Sequence, residues 1–436
     1  MKEKLMNGLM GFAMFLQNQR HFRAIKNAFS SLLPIIIVGS FCTLFSNVVC
    51  NTTPGYFSLA NLPGMSWLGN LAPMFSAANY GTMNFIAVGL VILLSMELGE
   101  TYQVYDRVLP IVTLGSYISL CSTTVLISGE NGTVYELANA LTNQFTSAQG
   151  LFVGLFTALG ATEIYCRLVN SGKMEIKMPK KVPADVSRSF AVLFPCVLTV
   201  FFVSAVGMIF ELITGMTIFN AITTFIQKPL AHVLTGLPGY LLLVFMTTLL
   251  WCFGIHGTQT LKAIYEPILL AAFAENEAAY AAGAAIPNII STPFMSCFST
   301  ITGAGITGGL VIAIMIFSKR EDYRAIAKLA IPCAVFNINE PLIFGLPIVM
   351  NPILAIPFMI APAVSAAFAY VMTVIGFAGR MVVNAPWTTP PVLMAFLSSG
   401  GSAGAAVTQV VCIALAALIY IPFVLISNRQ TEAEAH

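Results

Sequence analysis

The stretch PCAVFNINEPLIFGLPIVMNP, residues 332–352, sets one carboxylate, Glu340, beside Asn337 and Asn339 and among prolines 332, 341, 347 and 352. Proline removes a backbone donor and breaks a helix, which leaves nearby carbonyl groups to line a site. A carboxylate held there can orient a hydroxyl group or take its proton, and the asparagines supply donors and acceptors together. The plainer alternative for Glu340 is a helix cap or an ion pair with a lysine. His256 comes second, in LLWCFGIHGTQTL between Gly254 and Gly257. An imidazole changes charge near neutrality, so a histidine beside a carboxylate could relay protons, although a satisfied interfacial histidine is the simpler reading. Trp251 and Trp387, two of the three tryptophans, adjoin these polar segments, Trp387 next to Thr388 in NAPWTTPP. Indoles stack on the apolar faces of sugars, and they also anchor chains at membrane interfaces.

Other candidates are weaker. TITGAGITGG, residues 300–309, gathers glycines and threonines that suit either close helix packing or a ligand loop. Lys262 and Glu266 stand one helical turn apart and are expected to pair with each other. Glu97, Glu100, Glu163 and Glu211 fall near the ends of apolar runs and receive no role. The nine cysteines form no CxxC pair and read as small apolar residues, so no metal site is expected. There is no glycine-rich nucleotide loop and no basic cluster for nucleic acid, and no cofactor is expected.

The elements that position these residues follow from composition. Of 436 residues, 57% are hydrophobic and 9% charged, against about 25% charged in soluble domains. Apolar runs of about 18–25 residues, each long enough to cross the hydrocarbon layer as a helix, recur along the chain. They predict an all-α polytopic membrane protein with about ten transmembrane helices near 29–50, 80–98, 107–127, 147–169, 189–213, 238–256, 260–279, 301–318, 352–377 and 403–427. Amphipathic interfacial helices are expected at about 1–26, with Leu5, Leu9, Phe12 and Leu16 at helical spacing, and at 214–236 with Lys228 and His232. Residues 329–350 and 384–401 are interrupted by prolines, glycines and polar residues. Such backbone survives at membrane depth only inside protein or along a wet cavity, so both are expected to be re-entrant hairpins.

Lysine and arginine set the orientation. With a cytoplasmic N-terminus, Arg107, the group from Arg167 to Arg188, Lys319 to Lys328 and Arg429 fall inside, while 51–79 and 128–146 contain neither residue type. The positive-inside rule is then met with both termini cytoplasmic and Arg380 as the main exception. The hydrophilic stretch 170–188 marks a seam. The expected organisation is 1–213 as a first half, 214–237 as a connector and 238–436 as a second half that carries the site.

FNINEPLIFGLPIVMNP, FGIHG, KKVPADVSRSF and NAPWTTPP together resemble the membrane-embedded enzyme IIC of the bacterial phosphoenolpyruvate-dependent sugar phosphotransferase system, in its lactose/cellobiose/diacetylchitobiose branch. The resemblance runs over about residues 5–428, with TGAGITGG where the family often reads GGSGAT. It implies a permease in the bacterial cytoplasmic membrane. It also implies a homodimer joined through the first half, and a β-linked disaccharide such as cellobiose, diacetylchitobiose or lactose bound in the second. Glu340 would contact the hydroxyl that becomes phosphorylated, with His256 beside it and Asn337, Asn339, Trp251, Trp387 and Thr388 around the sugar. The phosphoryl group would come from a phosphocysteine on soluble enzyme IIB, charged by IIA, so the chain would be the membrane component of a protein-phosphocysteine–sugar phosphotransferase. The rival expectation is a proton- or sodium-coupled secondary sugar transporter, also built on broken helices around a midplane site.

Overall fold

The computed structural model describes residues 11, 14–15, 18–53, 58–128, 134–179, 181–346, 348 and 351–434. The amphipathic positions Leu5, Leu9, Phe12 and Leu16 lie outside the described residues. Arg20, Arg23 and Lys26 belong to α1 (Arg20–Leu44), one continuous helix that runs on into the first apolar stretch and ends in a π-turn at Phe45–Val49. There follow α2 (Ala72–Met83), α3 (Ile86–Thr101), α4 (Leu109–Ile118), the antiparallel strands β1 (Val125–Ser128) and β2 (Val134–Leu137), α5 (Leu151–Asn170) and α6 (Leu193–Thr214). Then come α7 (Leu237–Cys252), α8 (Gly257–Ala281), α9 (Thr307–Phe317), α10 (Glu321–Val335), α11 (Glu340–Gly345), α12 (Pro352–Val374), α13 (Leu393–Ser398) and α14 (Ala403–Glu434). Shorter helical turns link them.

Among the described residues, five helices are long and apolar enough to cross a membrane: Arg20–Val49, Ala148–Asn170, Val186–Thr214, Ile353–Val374 and Ala403–Asn428. Two bent pairs, Ser66–Met83 with Ile86–Thr101 and Ile218–Thr235 with Leu237–Cys252, raise the number to seven. Leu109–Ile118 and Ala304–Phe317 are apolar but shorter. α8 is long enough, but Lys262, Glu266, Glu275 and Glu277 interrupt its apolar character. The fold is therefore that of a helical membrane protein. The hairpin β1–β2 was not foreseen, because four-residue strands give too short an alternation to stand out.

Contacts divide the chain into two compact units. One comprises Asn18–Ile36 and Tyr80–Leu230. Its centre is α3 against α4 and α5, with Leu90, Leu94, Ala158 and Tyr165 sealed from solvent. Helices approach closely where small residues allow it: a Cβ on Gly154 would stand 3.0 Å from Val91 Cγ2. Glu163 turns out to be a charge hub, accepting from Arg20 Nη2 at 2.9 Å, His21 Nε2 at 3.0 Å and Arg167 Nη2 at 2.6 Å. Only the Arg167 partner lies at helical spacing in the sequence. Along α6 a broad apolar face remains exposed, including Phe201, Phe202, Leu212 and Ile213, as suits a surface that meets lipid tails.

The other unit comprises Ile37–Asn79 and Ala231–His436 with the N-terminal residues. Here α14 packs along α9 and α12, and α12 along α7. Gly309 makes the α9–α14 contact close, since a Cβ there would lie 2.7 Å from Ala416 Cβ. Tyr240, Phe294, Phe298 and Phe358 are fully buried, with edge-on ring pairs Tyr240–Phe294 and Phe294–Phe298. Glu266 is buried, one helical turn from Lys262. Arg380, the exception to the charge rule, donates to the carbonyls of Ile286 and Pro287.

Candidate functional site

The helical path breaks between α10 and α11, and the turn between them carries the asparagines. Asn337 has φ +62°, a left-handed conformation that asparagine tolerates better than most side chains. Its Oδ1 accepts from the Thr302 amide at 2.7 Å, while Nδ2 donates to the carbonyls of Trp387 at 2.7 Å and Thr389 at 2.8 Å. Asn339 Nδ2 donates to the Ala304 carbonyl at 2.6 Å and to Thr307 Oγ1 at 3.0 Å. Broken backbone leaves amides and carbonyls without helical partners, and these two side chains supply them. Both asparagines are buried. What they visibly give the site is its frame: they tie the 300–309 loop, the Glu340 turn and the NAPWTT segment together.

Backbone strain gathers at the same junction. Thr302, Ile306 and Val392 all have positive φ, which for β-branched residues costs on the order of 1–3 kcal/mol each. Gly303, at φ +94°, has no room for a Cβ, which would fall on the Asn339 side chain. Gln409, fully buried in α14, holds Val392 in place: its Oε1 accepts from the Val392 amide at 2.5 Å, and Nε2 donates to the Cys297 carbonyl at 2.8 Å. Sequence reading passed over Gln409 and took in Thr302 only as one of the threonines of the 300–309 stretch. A lone glutamine in an apolar helix was the available signal.

Glu340 itself begins α11 with its side chain exposed, and it accepts no hydrogen bond from a described residue. Residues 347, 349 and 350 of the same proline-rich stretch lie outside the described residues. Trp387 is 51% exposed although its carbonyl is fixed by Asn337, and Thr388 lies between the two carbonyls that Asn337 holds. Here a rigid backbone presents an open indole.

His256 caps α8, its Nδ1 accepting from the Gln259 amide at 3.3 Å. An acceptor at Nδ1 puts the proton of the neutral ring on Nε2. The Trp251 ring lies against it, centroids 4.2 Å apart. Trp251 is buried, and its indole nitrogen has no hydrogen-bond partner among the described residues. Gly257 is required next to this pair because a Cβ would overlap the Thr247 carbonyl. No described hydrogen bond joins the Trp251–His256 pair to Glu340. In the same unit Tyr420 donates to the Gly305 carbonyl at 2.7 Å. A polar cavity of about 260 Å³ bordered by Arg23, Asn27, Glu97 and Glu100 belongs to the other unit and holds none of these residues.

The profile of the family described as "Phosphotransferase system, EIIC" matches residues 26–362. The chain belongs to that family. It is 31% identical to the lichenan permease IIC component of Bacillus subtilis over 95% of this chain and 91% of that one. With the oligo-beta-mannoside-specific EIIC component of the same organism it shares 32% identity over 97% and 93% of the two chains. The crystal structure of the transporter ChbC, the IIC component of the N,N'-diacetylchitobiose-specific phosphotransferase system, superposes with a TM-score of 0.89. It is 33% identical and covers 98% of both chains. This EIIC is therefore a membrane sugar permease of the phosphotransferase system, a component that works with IIB and IIA, and the ion-coupled alternative is not favoured.

Proposed function

We propose that this EIIC carries a β-linked disaccharide across the bacterial cytoplasmic membrane and holds it for phosphorylation by phospho-enzyme IIB. One observation carries the reading: Glu340 offers an unpartnered carboxylate on a turn that Asn337 and Asn339 fix to two other broken segments. The names of the relatives, with oligo-beta-mannoside and diacetylchitobiose among them, support the substrate class. In the proposed reaction a sugar hydroxyl oxygen attacks the phosphorus of phosphocysteine. The P–S bond breaks, the thiolate leaves with IIB, and the hydroxyl proton passes to Glu340. His256 donates from Nε2 to a phosphoryl oxygen as charge builds there. Trp387, Thr388 and Trp251 contact the sugar, while Asn337 and Asn339 border it and shape the site.

The architecture that goes with this reading has ten spans, re-entrant segments at 329–350 and 384–401, and both termini in the cytoplasm. Residues 1–213 form the dimerisation half, 214–237 the connector, and 238–436 the half that binds and moves the sugar within a homodimer. The basic stretches 167–188 and 319–328 offer docking surfaces for IIB. The test uses proteoliposomes with phospho-IIB: Glu340→Gln keeps sugar binding but loses sugar-phosphate formation. Full phosphorylation by the variant would sink the general-base role.

A further inference from the structure

Glu277 lies on the site's own helix, 21 residues beyond His256, roughly 30 Å away by helical rise. It is 3% exposed. Its Oε1 accepts from Thr43 Oγ1 at 2.6 Å and from Asn79 Nδ2 at 3.1 Å. Asn79 Nδ2 also reaches Thr43 Oγ1 at 2.7 Å and the Gly39 carbonyl at 3.1 Å, which draws α1 and α2 onto α8. The other oxygen, Oε2, is buried with no hydrogen-bond partner among the described residues, and so are the hydroxyls of Ser40 and Ser46 nearby in sequence. The π-turn Phe45–Val49 follows directly, with Asn47 Nδ2 bonded to the Thr43 carbonyl. π-turns inside helices mark places that rearrange or bind.

Among the described residues no cation pairs with Glu277. From α1 the titratable neighbour is the Cys42 thiol, and the stretch of α2 up to Asn79 contributes none. On α8 itself stand Glu275, bonded to Asn288, and Tyr280. Arg380, in the segment that packs with Leu44 and Tyr280, is committed to two carbonyls. An ionised carboxylate buried without a cation costs several kcal/mol.

We propose that Glu277 with Thr43 and Asn79 is a proton-binding site whose occupancy fastens the Ile37–Asn79 stretch to α8. Losing the proton to water at the membrane face on Glu277's side leaves a charge that the packed arrangement cannot hold, and the contact opens. In the topology proposed above, that face is the outer one. Acid therefore favours packing, and rising pH shifts the balance toward opening by up to about tenfold per pH unit.

Hydrogen exchange on the full chain in lipid nanodiscs, without sugar or IIB, tests this between pH 5.5 and 8.5. After correction for intrinsic exchange, peptides covering residues 37–50 and 72–83 lose protection as pH rises, with α12 peptides as the unchanging reference. Glu277→Gln, a neutral isostere, keeps its low-pH protection throughout. Thr43→Val removes a donor that favours the ionised form and moves the profile to higher pH. Protection independent of pH in the wild type overturns the proposal, as does a Glu277→Gln profile that follows the wild type or an unshifted Thr43→Val profile.

Discussion

Replacing Asn337 by alanine removes an acceptor from the Thr302 amide and two donors from the Trp387 and Thr389 carbonyls. The Thr302 bond is buried and the other two are half-buried. Leaving the amide unsatisfied costs about 1–3 kcal/mol, and each carbonyl bond contributes about 0.5–1.5 kcal/mol. Alanine must also adopt φ +62°, which adds about 1 kcal/mol. Even the lower ends sum to about 3 kcal/mol, or roughly 150-fold in an equilibrium constant. Because these bonds hold the loop, the Glu340 turn and the Trp387 segment in one arrangement, that cost falls on the binding-competent form. Asn337→Gly removes the same bonds without the backbone cost and recovers about 1 kcal/mol, roughly fivefold in affinity. Isothermal titration of a disaccharide that the wild type binds, with thermal unfolding alongside, reads both effects. An Asn337→Ala affinity within twofold of wild type would refute the frame role assigned to this side chain.

Three further outcomes follow from the same geometry. Glu340→Gln changes stability by no more than about 0.5 kcal/mol, since an exposed, unpartnered group is lost, yet it slows sugar-phosphate formation by about 10²–10⁴-fold in a phospho-IIB assay. Gly257→Ala drives a methyl group toward the Thr247 carbonyl and lowers stability by about 1–3 kcal/mol, visible as a reduced Tm; an unchanged Tm would remove the packing reason for the glycine in FGIHG. The Arg320 guanidinium, bonded to Asp322 at 2.6 and 3.1 Å, holds that carboxyl below its usual pKa. A depressed folded-state pKa stabilises above the unfolded value near 4 and is lost as pH falls through the folded value. Asp322 is mostly exposed, so Asp322→Asn costs below about 1 kcal/mol at pH 7 and progressively less as pH falls below about 4, as thermal unfolding across that range will show.

Much of this protein was legible as sequence because the bilayer constrains it so strongly. A backbone that must satisfy its own hydrogen bonds in hydrocarbon has to be helical, so apolar runs located the helices, and lysine and arginine proposed their direction. Broken helices announced themselves by their prolines, and Glu340 by the cost of a carboxylate among apolar residues. Trp251 and His256 stand in one short stretch, LLWCFGIHGTQTL, and the structure sets their rings together. Tertiary structure alone decided which broken segments meet. Asn337 and Asn339 were read as sugar contacts, and the fold shows their amide groups bonded to backbone groups 35–52 residues away and to the Thr307 hydroxyl. Thr302, Val392 and Gln409 matter because of conformations and partners that no local pattern encodes. Glu163 received no role from its sequence position, and Glu277 was passed over. Each acquires its role from groups brought to it across more than a hundred residues, Arg20 and His21 in one case and Thr43 and Asn79 in the other. Composition and period act along the chain, whereas the satisfaction of a buried polar atom is settled by whatever folding places within about 3 Å of it.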